Sequence, residues 1–590
     1  MAIATQALPA LAATDDNAMH PRLATDDQPA IPGTVHLVDL EGTMRAKHAA
    51  GARTHDIVLI PAPSDDGHSF LAPTDFSPDD PLNWSPRRKA LSSACMCMYT
   101  LMVGIASAAI YSVLEPISEA TNLTLNDLNA GTGYLFLLAG WGCLFWQPLA
   151  LQYGKRPVYL ISCLGTMGMC LWGPYTTTNG QWTASKILQG FFGAPIESLC
   201  EISVTDIYFT HERGKYLGLY ALLLAGSNFF APIIAGFIND GQNWEWVLYW
   251  CAIFCFIGFV FLFFFMEETN YVRHTQGAPV SSTPGTSTPN ENSSTKETAR
   301  GSKEVPSPTD DTTRTASSVF ETGAHTHHTN KRRKTYWDKL KLFQEADLHK
   351  PNELKGMVYR PLAFLTFPVI FYAGFSYGAN LVWFNVLNAT ASLILGGTYG
   401  FSASMVGLSY VSPLVGVIIA SWYTGVLGDR FVLHKARKNH GVLEAEHRLW
   451  LFTPSLLLIP GGLILWGVGA SQGVHWFGCV FAAGVIALTN TIGLQLSVAY
   501  CIDSYRALSG EAITTVILVR NTMSFAIGYG ITPWVDGMGL QNCFITAGFI
   551  GLAQCLTFLL MVKYGKGLRE RSVPRYAKYV EEMAKSGMVH

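Results

Sequence analysis

The stretch WTASKILQGFFGAPIESLCEISVTD, Trp182 to Asp206, decides how the rest of the chain is read. As a helix rising ~1.5 Å per residue it is long enough to cross a hydrocarbon core of ~30 Å. Yet it carries Lys186, Glu197 and Glu201. At about 100° per residue these three share one narrow stripe with Gly190 and Gly193. A charged side chain deep in a bilayer costs ~2.5 kcal/mol or more, so that stripe faces a bundle interior or a water-filled path, not lipid. One reading of such residues is that they bind ions, protons or substrates, which predicts a transporter with an acidic, proton-accessible cavity. The other is that they pair with a neighbouring helix and only hold the bundle together.

Composition supports a membrane protein. Charged residues make up 14% of the chain and apolar residues 49%, against about 25% charged in an ordinary soluble domain. The mean hydropathy is +0.23. The formal net charge of −2 says nothing about partners; what matters is where the charges lie.

Apolar windows long enough to span number about twelve, in two sets of about six separated by a long polar insert. The first set is 88–112, 130–151, 157–177, 182–206, 214–238 and 246–266; the second is 361–384, 403–427, 450–469, 475–502, 512–534 and 542–563. Lysine and arginine, including Arg87, Arg88, Lys155, Arg156, Arg213, Arg430, Lys435, Arg506 and Lys563, fall on one side of this map, and the opposite loops hold none. The positive-inside rule then makes both termini and the insert cytoplasmic. The expected organisation is a cytoplasmic tail 1–87, a six-helix bundle 88–267, a mostly disordered cytoplasmic linker 268–358, a second bundle 359–563 and a cytoplasmic tail 564–590. This is an all-α, multi-pass protein of about 12 transmembrane helices, expected in the cell membrane.

Two sequons, at Asn122 and Asn388, land in loops on the side without lysine and arginine. All twelve cysteines fall inside the windows with no CxxC or His/Cys metal spacing, so neither a disulfide framework nor a metal site is expected. In the tail, GTVHLVDL and IVLIPAPS are apolar enough to form small strands against the inner face. The segment DDPLNWSPRRK places Trp84 and three basic residues at the first membrane edge, an interface anchor. KRRKTYWDKLKLF, Lys331 to Phe343, reads as an amphipathic surface helix. In the fifth window Ser227, Ala231, Ala235 and Gly236 are small enough for close helix contact, and Pro232 bends the segment; the seam either slides or is static packing.

The second set repeats the first. GVLGDR, Gly425 to Arg430, occupies the turn that Gly154, Lys155 and Arg156 occupy earlier. Asp503 and Tyr505 close the tenth window as Asp206 and Tyr208 close the fourth, and Pro533 mirrors Pro232. Parallel repeats of this kind place the substrate site near the midplane, between halves.

With these landmarks the chain resembles the major facilitator superfamily, specifically its fungal twelve-span drug:proton antiporter subfamily, near the branch of histidinol, cation and polyamine transporters and metabolite exporters. GTVHLVDL, DDPLNWSPRRK, KILQG, DIYFTHERGKYLGLY, APIIAG, MEETNY and GVLGDR carry the resemblance. The family's cytoplasmic turn motif is incomplete in its first copy, which has Gln147, Leu151 and Gln152 where Gly, Asp and Arg are expected. The second copy keeps Asp429 and Arg430, so the resemblance points to those two as the gating pair, beside Lys155, Arg156 and Pro232. Lys186 stands where the family has a proton-linked arginine, and Ser227, Ala231, Pro232, Ala235 and Gly236 stand for its antiporter signature.

The resulting expectation is alternating access driven by a proton gradient, with no other cofactor, by a chain functional as a monomer in the bilayer. Glu197 and Glu201, one turn apart, repel each other and are the proton or cation acceptors. Lys186, about 16 Å from Glu197 by helical rise, meets another helix, and Arg520 is a second buried cation able to partner either acid. Gln189, Tyr372, Tyr377, Trp383, Asn385, Asn490 and Gln495 line the cavity. The expected substrate is a small organic molecule, with efflux of drugs or fungal secondary metabolites first and uptake or exchange of organic cations second. A non-transporting sensor with the transporter fold is a further alternative. An enzyme is not expected, because no polar catalytic constellation is present, and no nucleic acid is expected as partner.

Overall fold

The structure, a computed structural model, describes residues 31–40, 43–46, 80–208, 210–271, 338, 340–343, 352–439 and 441–585. IVLIPAPS, most of the linker and most of the surface helix expected at Lys331 to Phe343 lie outside these residues. Strands β1 (Thr34–Leu40) and β2 (Thr43–Ala46) precede α1 (Pro86–Ala108), α2 (Leu114–Ala120), α3 (Leu125–Trp141), α4 (Cys143–Tyr153), α5 (Lys155–Trp172), α6 (Asn179–Gly193), α7 (Pro195–Ile207), α8 (Thr210–Gly241) and α9 (Trp244–Phe265). The second set comprises α10 (Leu354–Phe364), α11 (Pro368–Ala391), α12 (Ala403–Ser409), α13 (Val411–Trp422), α14 (Gly428–Lys438), strand β3 (Val442–Glu444), α15 (Ser455–Ser471), α16 (Trp476–Ser504) and α17 (Ser509–Lys585), the last kinked at Gly539.

Each expected window falls largely in helix, and among the described residues nine helices are long and apolar enough to cross a membrane. One of these, Arg506–Met583, holds two windows, one on either side of the Gly539 kink. Burial runs opposite to that of a soluble domain. Leu457 and Phe549 are 81% and 64% exposed, whereas Arg520 and Arg569 are 5% and 0% exposed. In a bilayer, lipid would cover the first kind of residue, and the second kind must find partners inside.

The deciding stretch is not one helix. Pro195 has no N–H to give the carbonyl of Phe191, so the ladder breaks between α6 and α7. Side chains take up the freed carbonyls: Trp146 Nε1 donates to Phe191 O at 2.7 Å, and Ser162 Oγ donates to Phe192 O at 2.5 Å. The break leaves Glu197 in the first turn of α7, where the helix dipole favours an anion.

GVLGDR is also not the turn expected of it. It runs through a π-helical stretch (Tyr423–Leu427) into α14, whose Asp429 near the start and Lys435, Arg437 and Lys438 near the end suit the helix dipole. The loop expected at 385–402 is helical to Ala391 and π-helical over Ser392–Thr398. Glu268 and Thr269, assigned to the linker, are buried, and α17 runs on through the expected C-terminal tail.

Close helix approach rests on glycine at a few points. A Cβ on Gly190 would meet the backbone of Leu135 in α3, which has no way to give, whereas Gly168 has nothing within 4 Å. Gly190→Ala is therefore expected to destabilise by about 1–3 kcal/mol and Gly168→Ala to be neutral. Thermal unfolding in detergent checks the pair, and equal midpoints would refute the close α3–α6 contact.

The first and second sets meet mainly at one end. There Asn129 Nδ2 donates to Thr532 Oγ1 at 3.1 Å, Glu115 N–H to Ser392 Oγ at 3.3 Å and Ser404 N–H to Asp240 Oδ2 at 3.2 Å. A Cβ on Gly407 would lie 2.5 Å from Pro232 O, and one on Gly528 would lie 2.8 Å from Gly133 Cα. The opposite, basic end has Thr514 Oγ1 donating to Gln147 Oε1 at 2.6 Å. There β1 pairs antiparallel with β2 and with β3, so GTVHLVDL forms the expected strand.

Candidate functional site

Glu197 is brought to Arg520 of α17, 323 residues away: Arg520 Nη2 donates to Glu197 Oε2, and Nη1 donates to the Tyr377 hydroxyl of α11. The guanidinium also lies 4.6 Å from the Tyr377 ring centroid, a cation–π contact. An acid from the first set is thus joined to a base and a phenol from the second. Glu201, one turn further along α7, is half-buried and has no hydrogen bond or ion pair among the described residues. The two acids share a face as expected, but only one has a counter-ion. Protonating Glu197 would break an ion pair, whereas protonating Glu201 breaks none.

Lys186 packs against Gly131 of α3, but its polar partners lie on its own helix. Its ammonium donates to Gln189 Oε1 at 2.9 Å and sits 4.5 Å from the Trp182 ring, both on α6, because buried Trp182 shields it one turn away. Gln189 in turn donates to Ala106 O at 2.9 Å, tying α6 to α1.

The residues expected to gate differ in burial. Asp429 is largely exposed, with Arg448 as its nearest cation at 3.9 Å, and exposed Arg430 has no ion-pair partner among the described residues. Their place on a continuous helix points both away from a shared contact. The first copy, incomplete in sequence, is the buried one: Lys155 pairs with Asp206 at the end of α7. Glu268 accepts the backbone N–H groups of Lys155 and Arg156 at 3.0 and 2.9 Å, an anion at a helix N-terminus. Burial pushes the Glu268 carboxyl up from the usual carboxylate range despite these donors. Arg156 donates to Phe263 O at 2.8 Å. In the second set Arg448 Nε donates to Asp503 Oδ2 at 3.2 Å, the counterpart of the Lys155–Asp206 pair.

The expected cavity residues divide. Tyr377 joins the Arg520 site. Asn385 borders a cavity of about 20 Å³ between the sets, with Tyr111, Asn129, Thr132 and Ser524, room for about one water. Tyr372 and Trp383 border a smaller cavity inside the second set. Gln495 is held by Thr424 and by Ser421 Oγ at 3.2 Å, so it is packed within the second set. Asn490 Oδ1 and Asn385 Nδ2 are buried without partners among the described residues. Pro232 O accepts from Ser112 Oγ at 2.8 Å and abuts Gly407, so Pro232 belongs to the closed end. Asn388 is 2% exposed within α11 and accepts from the Tyr410 hydroxyl at 3.1 Å, while Asn122 is exposed.

Sequence reasoning gave no role to the buried pairs Glu446–Arg569 and Arg360–Glu511. Their only signal was ionisable residues of opposite sign at window ends.

Residues 96–533 match the sequence profile of the Major Facilitator Superfamily. The chain belongs to this superfamily. Curated relatives agree along nearly the whole length. An uncharacterised MFS-type transporter of Schizosaccharomyces pombe is 26% identical, covering 93% of this chain and 94% of its own. The Saccharomyces cerevisiae protein HOL1 is 26% identical over 91% of this chain and 95% of its own. A multidrug transporter of Candida glabrata is 23% identical over 86% of this chain and 80% of its own. Among solved structures, a D-xylose-proton symporter superposes with a TM-score of 0.50 at 12% identity, covering 80% of this chain and 97% of that one, which shows the fold alone. As a member of the Major Facilitator Superfamily the chain is a multi-pass membrane transporter of small molecules, not an enzyme.

Proposed function

We propose that this chain is a proton-coupled secondary transporter of the drug:proton antiporter subfamily, working by alternating access as a monomer in the cell membrane. The observation that carries the reading is the unpaired Glu201 beside the paired Glu197. A carboxylate that takes or releases a proton without breaking an ion pair suits a coupling site. The contacts gathered at the end away from the lysines and arginines fit a carrier closed outside, with its basic end cytoplasmic.

Efflux of drugs or fungal metabolites is the direction we favour, because relatives include proteins named as a multidrug transporter and a probable efflux pump. Exchange or uptake of organic cations is the second reading, favoured by two carboxylates facing one guanidinium. Tracer flux in proteoliposomes, in both directions and with a proton uncoupler, tests both. Flux indifferent to the pH gradient would refute proton coupling.

On this topology a glycan is expected at exposed Asn122 and not at buried Asn388. Asn122→Gln should remove the whole glycosidase-sensitive mobility shift and Asn388→Gln none of it. The reverse pattern would refute the assignment of sides.

A further inference from the structure

The charges at the junction of the two sets do not balance. Two carboxylates, Glu197 and Glu201, face one guanidinium, Arg520. Among the described residues the other titratable groups that face them are the Tyr377 and Tyr220 hydroxyls and the Cys143 and Cys200 thiols, all neutral. Lys186 is held elsewhere, by Gln189 and Trp182. With both acids ionised the junction would carry one uncompensated negative charge, because Arg520 is paired with Glu197 and Glu201 has no ion pair among the described residues.

The surroundings are built for polar company. Arg520 is 5% exposed, yet its Nε has no partner among the described residues. Further along α17, Asn521 against Gly140 of α3 and Ser524 beside the cavity at Asn385 are each 0% exposed, and both amide atoms of the one and the hydroxyl of the other are unpartnered among the described residues. Buried polar atoms left in this state are costly unless water or a ligand reaches them.

We propose that Arg520 sets the valence of the substrate: by cancelling Glu197 it leaves a site that accepts a single positive charge, either one proton or one organic monocation, on Glu201. The proposal rests on the reading of Glu197 and Glu201 as the transport site and adds a substrate class and a specificity residue to it. A neutral site buries cheaply when the two sets close, and a charged one does not. With a proton or a monocation on Glu201 the sum is zero. A dication would leave the closed site with one excess positive charge, so it is rejected by desolvation and not by size. Proton and monocation exclude each other, because one carboxylate serves both.

Two probes of nearly equal shape isolate the charge: N-methyl-4-phenylpyridinium, a monocation, and N,N′-dimethyl-4,4′-bipyridinium, a dication. Binding to the purified full chain is measured by competition against the radiolabelled monocation and, separately, the radiolabelled dication. The wild-type chain is expected to prefer the monocation by at least about tenfold, a ratio worth ~1.4 kcal/mol. Arg520→Gln leaves two uncompensated carboxylates and should shift the preference toward the dication by at least about tenfold. Glu197→Gln leaves one carboxylate against one guanidinium and should lose both probes. Glu197→Gln/Arg520→Gln leaves Glu201 alone and should return to the wild-type preference, which tests the idea even if Arg520→Gln does not fold. A dication preference in the double variant, or an unchanged ratio in folded Arg520→Gln, overturns the role of Arg520. Failure of the wild-type chain to bind either probe, with transport of a neutral or anionic compound retained, overturns the cation class and the valence proposal while leaving the transporter reading standing. Flux untouched by Glu201→Gln overturns the transport-site reading itself.

Discussion

Replacing Glu201 by Gln is expected to abolish uphill transport while leaving the protein folded. One proton exchanged per substrate across one pH unit supplies ~1.4 kcal/mol, enough for an accumulation ratio of about ten. Glutamine keeps the size of the side chain but holds no exchangeable proton charge, so the ratio should fall to unity. Folding should survive, because Glu201 makes no hydrogen bond or ion pair among the described residues. Glu197→Gln is expected to behave differently: it strips Arg520 of its carboxylate partner, leaving a guanidinium that is 5% exposed. That variant should lose both transport and stability, in the range of about 3–5 kcal/mol seen when one member of a buried pair is removed. Accumulation in proteoliposomes under an imposed pH gradient, with surface or reconstituted protein quantified, checks both. Undiminished accumulation by Glu201→Gln at several pH values would end the carboxylate mechanism.

The second large effect is structural and lies at the basic end. Arg569 is 0% exposed and grips Glu446 with two bonds, at 2.8 Å through Nε and 2.5 Å through Nη2. Its remaining nitrogen donates to Pro32 O, at the entrance to β1. Gly33 follows with a φ of +84°, and a Cβ there would lie 2.9 Å from Arg569 Nη1, so the strand passes where only glycine fits. Arg569→Ala is expected to cost about 3–5 kcal/mol, chiefly by leaving Glu446 buried without its cation. Hydrogen exchange should rise along Thr34 to Leu40 as β1 leaves β3. Removing both charges, as Glu446→Leu with Arg569→Met, should regain much of the unfolding midpoint without restoring protection of β1. An unchanged midpoint in Arg569→Ala would mean that the pair holds nothing.

The transport fold was legible in the sequence because its signals are local. Length and apolarity mark a span residue by residue, and a 100° periodicity puts Lys186, Glu197 and Glu201 on one face wherever the helix goes. The family followed from short motifs such as KILQG and MEETNY, which need no partner to be read. Even the β1 strand announced itself as an apolar patch in a polar tail.

What the sequence could not place were pairings between distant segments. Arg520 was a candidate among buried cations, but its choice of Glu197 over Glu201 depends on how α17 packs across α7 and α11. The gate was expected at Asp429 and Arg430 because their motif is more complete. Burial separates the two copies in a way the motif does not, since Lys155 and Asp206 are 1% and 5% exposed while Asp429 lies open. Asn388 has the same sequon as Asn122, yet one is sealed in a helix and the other is not. The sequence by itself determined that this chain crosses the membrane many times and buries acids there, because the cost of exposing a charge to lipid is paid at each residue alone. Only the tertiary structure decided which acid is compensated and which has no partner among the described residues, because a Coulomb interaction falls off over a few ångströms and depends on neighbours hundreds of residues away.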